Sequence, residues 1–309
     1  MSQATLARAT GRPAARALAG RLTPYLLIAP VLVILGVLLA YPLAVGFYTS
    51  LTSLRIGRWN AAQFVGLDNY VRVLTSGDFF TAAGITFRFG LMCIAAEMPL
   101  GLGLALLLNR EIRGIGIYRA ICLIPIMVPN IVSALVWRSM LDPTGVINHI
   151  LAPLGFMNYP WLADPNTVLF GLLLIDIWMM TPQVVILLLA ALQGIPSEIY
   201  EAATVDGAGA WQRFRSVTFP MILPFALVSL MIRAIELIQV FDVIFVTTSG
   251  GPANASKVLH MAAYREGFVD GYLGNGMAYA FLLGLTVLLV VLVVARRYLA
   301  AQAAAYGDA

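Results

Sequence analysis

Six long apolar stretches determine what this chain can fold into. They lie at about 25–48, 82–108, 119–141, 167–191, 224–248 and 275–295. Each can cross roughly 30 Å of hydrocarbon as a helix, which takes about 20 residues. A lipid-exposed segment has no water to bind its backbone polar groups, so each stretch is expected to be α-helical. The sequence therefore predicts an all-α integral membrane protein with about six transmembrane helices.

The composition excludes an ordinary water-soluble domain. Hydrophobic residues make up 61% of the chain and charged residues only 11%, whereas soluble domains carry roughly 25% charged residues. The mean hydropathy is +0.88. Two cysteines, Cys93 and Cys122, lie inside apolar stretches without the spacing of a metal site or a disulfide framework. We interpret both as small core residues.

The basic residues predict the orientation in the membrane. With both termini in the cytoplasm, eleven basic residues lie inside and five outside. The inner set is Arg8, Arg12, Arg16, Arg21, Arg110, Arg113, Arg119, Arg213, Arg215, Arg296 and Arg297. The outer set is Arg55, Arg58, Arg72, Lys257 and Arg265. This asymmetry follows the positive-inside rule and accounts for the net charge of +4 without nucleic-acid binding.

The most polar inward segment lies between the fourth and fifth spans, at about 192–223. Pro196 suits the start of a short helix, and Gly207 can end it in a left-handed conformation. A second helix is expected to follow and to stop at Pro220. The first helix is too short to cross a membrane, and its alanine-rich face would let another protein approach closely. The segment therefore predicts a docking element.

This segment resembles the cytoplasmic motif of ABC importer permeases. That motif reads Glu-Ala-Ala, three residues, Gly, nine residues and Ile-x-Leu-Pro. Here it appears as Glu201-Ala202-Ala203, Gly207 and Val217-Thr218-Phe219-Pro220. The outward stretches 64–70 and 248–252 resemble those of carbohydrate-type permeases of bacterial ABC importers, the binding-protein-dependent transport system inner membrane components. The resemblance covers most of the chain.

The resemblance implies a role and a set of partners. The chain would be a single ABC importer transmembrane domain over 1–309, in the bacterial cytoplasmic (inner) membrane. The motif would form a coupling helix in a groove of the ATPase subunit, a role implied for Glu201, Ala202, Ala203, Asp206 and Gly207. Implied partners are an ABC ATPase dimer, a second related permease subunit and an extracytoplasmic solute-binding protein. An ordinary amphipathic connector, whose glycine only ends a helix, is the alternative.

The chain is not expected to hydrolyse ATP or to act as an enzyme. A phosphate-binding loop needs a glycine-rich turn followed by Lys and Ser or Thr, and the sole lysine, Lys257, has no such context. His149 and His260 fall in outward loops, apart from the other candidate bases and nucleophiles. We therefore expect no catalytic residues, metal or cofactor in this chain, and expect ATP and Mg²⁺ in the partner ATPase.

Polar side chains inside the spans mark a candidate solute pathway, because charge at bilayer depth is costly without a partner or water. In the fifth span four polar residues fall within an arc of about 120°. They are Ser229, Arg233, Glu236 and Gln239. In the fourth span Asp176 and Gln183 share a face, and Trp178 offers an aromatic platform for sugars. The candidate pathway residues are Asp176, Trp178, Arg233, Glu236, Gln239 and Asp242.

Other interpretations of the charged residues stay open. Arg233 and Glu236 are three residues apart and can form an ion pair within one helix. Arg88 and Glu97 lie close to opposite faces of the second span, where Arg88 can reach outward and Glu97 is interpreted as structural. In the third span two prolines, Pro125 and Pro129, predict a kink.

The resemblance implies that the chain translocates a sugar or sugar derivative by alternating access, driven by a separate ATPase. Arg233, and Arg88 if it faces inward, suit an anionic sugar derivative. The three acids Asp176, Glu236 and Asp242 equally suit neutral hydroxyls. We favour neutral saccharides or polyols. An ABC permease for a non-sugar solute and an ion-driven secondary transporter are the alternatives. A secondary transporter would work without partners and usually shows internal repeats.

Overall fold

Helices make up the regular structure of the described chain. The computed structural model describes residues 13–155 and 158–306. Its α-helices are α1 (Pro13–Ser50), α2 (Asp68–Thr75), α3 (Gly77–Leu108), α4 (Ile115–Met127), α5 (Asn130–Met140), α6 (Val146–Leu151), α7 (Val168–Gln193), α8 (Ser197–Val205), α9 (Ala210–Arg213), α10 (Phe219–Ile238), α11 (Asp242–Thr247), α12 (Leu259–Tyr264) and α13 (Leu273–Tyr306). Arg8 and Arg12, predicted to be cytoplasmic, lie outside the described residues.

Membrane-spanning length is reached by five continuous helical segments among the described residues. They are Leu27–Ser50, Gly77–Leu108, Val168–Gln193, Ala210–Ile238 and Leu273–Arg296. A sixth candidate consists of α4 and α5, which together pass the same criteria of length and hydropathy. The prediction of an all-α membrane protein with about six spans is confirmed.

The third predicted span is sharply bent. Helices α4 and α5 meet at 95°. Val128, between them, has an extended conformation (φ −88°, ψ 129°), because the ring of the following Pro129 disfavours helical geometry at the preceding residue. The predicted kink is confirmed, and its size turns this span into two half-length helices.

The fifth predicted span differs from the expected continuous helix over 224–248. Helix α10 ends at Ile238, and Phe241 leaves helical geometry with φ −141° and ψ −57° before α11 begins. The span is therefore discontinuous on its outward side. A break of this kind exposes backbone groups, which proteins tolerate at membrane depth only against other protein or a water-filled cavity.

The expected helix end at Pro220 is also wrong. The chain stays helical from Ala210 to Ile238, and Pro220 lies in the first turn of α10. A π-helical turn at Phe214–Thr218 precedes it, in which the Phe219 amide donates to the Phe214 carbonyl. We attribute the continuity to this wider turn, since it offers room for a ring that would otherwise clash with the preceding turn.

The core forms where α3 packs along α7, with α10 against both. Gly101 of α3 lies directly over Val184 of α7, and both residues are buried. A Cβ atom at Gly101 would come within 2.5 Å of Val184 Cγ1. The absence of a side chain at Gly101 therefore sets how closely these two helices approach.

We expect Gly101→Ala to destabilise the protein by about 1–3 kcal/mol, because the added methyl overpacks the α3–α7 contact. Thermal unfolding in detergent measures the effect. Gly103→Ala is the matched control, since its Cβ would meet nothing within 4 Å and alanine is the better helix former. Equal melting temperatures for the two variants would contradict this packing.

Candidate functional site: a buried charge network and an exposed coupling segment

Arg233 is the centre of a charge network inside the helical core. It lies on α10, and only 2% of the residue is exposed. Its Nε donates to Glu97 Oε2 at 2.8 Å, and its Nη2 donates to Glu97 Oε1 at 3.1 Å. Glu97 lies on α3 and is fully buried. The paired bonds form the two-pronged contact that gives arginine and carboxylate groups their geometric specificity.

Two more carboxylates bind the same guanidinium. Asp176 Oδ2 on α7 accepts from Arg233 Nη2 at 2.7 Å, and Glu236 Oε2 accepts from Nη1 at 2.7 Å. Gln183 on α7 donates through Nε2 to Glu236 Oε1 at 2.9 Å. We call Glu97, Asp176, Gln183, Arg233 and Glu236 the charge network. It joins α3, α7 and α10.

The network leaves Arg233 little capacity for a further anion. Four of its five N–H groups are engaged, and the side chain is almost fully buried. Removing ions from water costs several kcal/mol each, which the mutual attraction within a hydrogen-bonded set offsets. The first function of Arg233 is therefore to neutralise the buried acids Glu97 and Asp176, and it also pairs with the half-exposed Glu236 three residues away.

Glu236 is the exposed charged member of the network. Its side chain is 40% exposed, against 5% or less for Arg233, Glu97 and Asp176. One of its oxygens binds Arg233 and the other binds the Gln183 amide. The half-exposed carboxylate and its amide partner thus form a polar patch in an otherwise apolar segment. Such a patch can accept hydrogen bonds from solute hydroxyls and donate hydrogen bonds to them.

The remaining pathway candidates lie elsewhere. Trp178 is two residues from Asp176 and points about 200° away around the helix. It is 38% exposed and packs against Trp137 of α5 at 5.9 Å. Gln239 and Asp242 are exposed, at the break after α10 and at the start of α11. The structure thus brings Asp176, Arg233 and Glu236 together and places the other three candidates outside the network.

Glu97 is the network residue that sequence reasoning missed. The sequence analysis interprets Glu97 as structural and names no partner for it. The structure shows that it forms the two-pronged contact with Arg233, 136 positions along the chain. A signal was present, because an acid and an arginine deep in different apolar stretches each require a counter-charge. The intrahelical pair of Arg233 with Glu236 does form, as one of four bonds.

A metal-like grouping overlaps this network. Ligand atoms of Cys93, Glu97 and Asp176 lie within 4.8 Å of one another, and all three residues are buried. Both carboxylates already bind Arg233, whose charge occupies the place of a cation. We therefore interpret Cys93 as a packing residue beside the network, as its sequence context indicated.

The coupling segment, residues 197–213, has the predicted helix and left-handed glycine. Helix α8 is followed by Gly207 at φ +77°, and the Ala208 amide donates to the Ala203 carbonyl at 2.9 Å. Two contacts attach α8 to the chain leading into α10. Arg213 Nη1 donates to Thr204 Oγ1 at 2.7 Å, and the Tyr200 and Thr218 hydroxyls are 3.1 Å apart.

The outer surface of the coupling segment is open. Glu201, Ala202 and Asp206 are exposed, and two large apolar side chains beside them are bare, Val205 at 88% and Trp211 at 71% exposure. Exposed apolar groups clustered within a polar surface are typical of protein interaction sites. Glu201 also lines a shallow groove with Tyr200, Thr204 and Val205.

Comparisons with known proteins agree with this arrangement. The model of the family described as "Binding-protein-dependent transport system inner membrane component" matches residues 97–303. The trehalose/maltose transport system permease protein MalF of Thermococcus litoralis is 39% identical, over 84% of this chain and 87% of its own. The sulfoquinovosyl glycerol transport system permease protein SmoG of Agrobacterium fabrum is 34% identical, over 85% and 86%.

Solved structures show the same fold. A bacterial ABC transporter involved in the import of the acidic polysaccharide alginate contains a chain that superposes with a TM-score of 0.77. The match covers 91% of this chain and 96% of the other at 24% sequence identity. At that identity the likeness shows the fold alone, and it extends beyond the region matched by the family model.

Proposed function

The chain belongs to the binding-protein-dependent transport system inner membrane component family, and on that premise we propose that it carries a saccharide across the membrane with energy from a separate ATPase. It is a multi-pass membrane transport subunit, not an enzyme. The observation that carries the proposal is the exposed coupling segment, because its second helix, α9, continues without a break into the helix that bears Arg233.

That continuity suggests how force reaches the membrane. Arg213 and Arg233 are 20 residues apart on one helical segment, or about 30 Å at 1.5 Å per residue. A displacement of the coupling segment by an ATPase would move this segment, and the charge network would transmit the movement from α10 to α3 and α7. The proposed mechanism is alternating access, with solute held where the network reaches the surface.

The partners follow from the same proposal. An ABC ATPase dimer, holding ATP and Mg²⁺, would receive Glu201, Ala202, Ala203, Asp206 and Gly207 in its groove. A second, related permease subunit would complete the pathway, and an extracytoplasmic binding protein would deliver the solute to the outward loops. The distribution of arginines supports cytoplasmic termini and a cytoplasmic coupling segment.

For the solute, we propose a neutral saccharide or polyol. The MalF relative, named for trehalose and maltose, supports a saccharide. The occupied guanidinium of Arg233 supports a neutral one, because the exposed charged group of the network is the Glu236 carboxylate. A carboxylate repels anionic solutes and accepts hydrogen bonds from hydroxyl groups.

The proposal is tested by purifying the tagged chain from its native host and reconstituting it in liposomes. We expect an ATPase and a second permease to co-purify, and labelled trehalose or maltose to enter only when binding protein and ATP are supplied. If the chain purifies alone and moves solute under an ion gradient, it is a secondary transporter and the proposal fails. Omitting ATP from the same liposomes is the control.

A further inference from the structure

Five aromatic side chains form a continuous surface beyond the break in the fifth span. They are Phe241, Phe245, His260, Tyr264 and Phe268, and we call them the aromatic ladder. Phe241 and Phe245 are four residues apart at the start of α11, while the other three repeat every four residues along α12 and the turn after it. This spacing places each set on one face of its helix.

The rings of the aromatic ladder contact one another within and between the two elements. Phe241 stacks on Phe245 with ring centres 5.2 Å apart, and Tyr264 stacks on Phe268 at 5.6 Å. Tyr264 also lies 5.2 Å from Phe241 and 5.3 Å from Phe245. Phe241 and His260 are 4.9 Å apart. These spacings are typical of attractive aromatic pairs.

Two irregularities of the backbone build this surface. A π-helical turn at Arg265–Val269 follows α12, and across it Phe268 keeps its stacking on Tyr264. The break after α10 frees the Gln239 carbonyl, which lies 2.8 Å from His260 Nδ1. π-Helical turns are rare and occur frequently at functional sites.

The outer face of the ladder is open and polar at its rim. Phe268 is 59% exposed and Phe245 39%, and the neighbouring Gln239 and Asp242 are also exposed. An acid beside an amide at the lipid surface of a span would be costly, so this face points to water or protein. Gln239 lies three residues after Glu236, the exposed member of the charge network.

We propose that the aromatic ladder is a saccharide-binding surface on the outward side of the pathway, occupied before the solute reaches Glu236 and Gln183. The apolar faces of pyranose rings would lie on Phe245, Tyr264 and Phe268, and ring hydroxyls would bond to Asp242 and Gln239. Apolar walls with a few placed polar groups are the usual make-up of ligand sites. The inference rests on the proposed function.

The test uses the native complex and two probes, trehalose and maltose. Phe245→Leu and Tyr264→Leu should lower maximal uptake of binding-protein-delivered sugar about fivefold, because the leucine keeps apolar volume and removes the ring face. Phe87→Leu is the control, an α3 phenylalanine outside the ladder with 74% exposure. Full uptake by both ladder variants would overturn the inference.

Phe268→Trp in the purified complex measures sugar binding directly, because it places a fluorescent indole in the ladder. The indole fluorescence should change saturably with either sugar and not with glycerol, which lacks a ring, while Phe87→Trp should not respond to any of them. If the Phe268→Trp complex does not respond to either sugar, the inference is wrong even where uptake is normal. Loss of the second permease from Phe245→Leu preparations would identify the ladder as a subunit interface and also overturn it.

Sugar uptake and the fluorescence of the Phe268→Trp complex together test the inference and the proposed function separately. If the wild-type complex takes up neither sugar with ATP, the proposed saccharide function fails, whatever the fluorescence shows. If it takes up sugar, and the ladder variants and the reporter behave as wild type, only the ladder is excluded. A sugar response of the reporter in a complex without uptake would keep the binding surface and exclude the transport proposal.

Discussion

Replacing Arg233 with methionine is expected to destabilise the folded protein by about 3–5 kcal/mol, because it leaves buried acids without their counter-charge. Glu97 and Asp176 have almost no access to water, so solvent cannot take the place of the guanidinium. We expect a large fall in melting temperature in detergent and aggregation on size-exclusion chromatography. Because the expected effect is large, a control variant must show how the loss of an arginine elsewhere in the chain changes stability.

Arg88→Met provides that control, since Arg88 is an exposed arginine on α3 and its loss should change stability by less than about 0.5 kcal/mol. A second control tests the electrostatic cause. Combining Arg233→Met with Glu97→Gln and Asp176→Asn removes the unpaired charges and should recover part of the stability. If Arg233→Met melts with the wild type, the network is not a stabilising element of the fold.

Reversing the charge of Glu201 is expected to separate the permease from its ATPase. Glu201 is exposed on α8, so Glu201→Arg should change the free energy of unfolding by less than about 0.5 kcal/mol. The melting temperature should therefore stay close to that of the wild type. A groove that receives the Glu201 carboxylate is expected to be basic, so an arginine at this position would face like charge. Such a contact costs several kcal/mol, and even about 2 kcal/mol weakens association about 30-fold. The ATPase should therefore be lost on co-purification, and ATP-dependent uptake should fall accordingly.

Glu111→Arg is the matched control, because Glu111 is another exposed acid predicted on the cytoplasmic side, in the loop before α4. It should retain both the ATPase and uptake. Normal ATPase recovery with Glu201→Arg would mean that α8 is only a connector between spans. Equal loss in both variants would instead point to a general effect of cytoplasmic charge.

Local features of the chain could be predicted from the sequence. The spans follow from the length of the apolar stretches, and the bend at Val128 follows from a proline at the next position. The left-handed turn at Gly207 follows from a residue without a Cβ after a short helix. Each depends on neighbours a few positions away, for which backbone geometry and the bilayer impose the outcome.

The break in the fifth span could not be predicted from the sequence. The apolar run continues through Phe241, and no proline or glycine marks where α10 ends. The break persists because tertiary contacts compensate it, with His260 Nδ1 at 2.8 Å from the Gln239 carbonyl. Hydropathy predicts a regular helix here, because it describes only the preference of each side chain for apolar surroundings. It carries no information on such tertiary contacts.

The sequence by itself determined that this chain is a bundle of membrane helices with a short polar helix and a left-handed glycine between two spans, since apolar length and local backbone preferences act within single helices. The tertiary structure decided which polar residues meet. Glu97 and Arg233 are brought together by the rotation and depth of α3 against α10, and the aromatic ladder forms between two elements separated by a loop. Such contacts depend on how helices pack, which no single apolar stretch encodes.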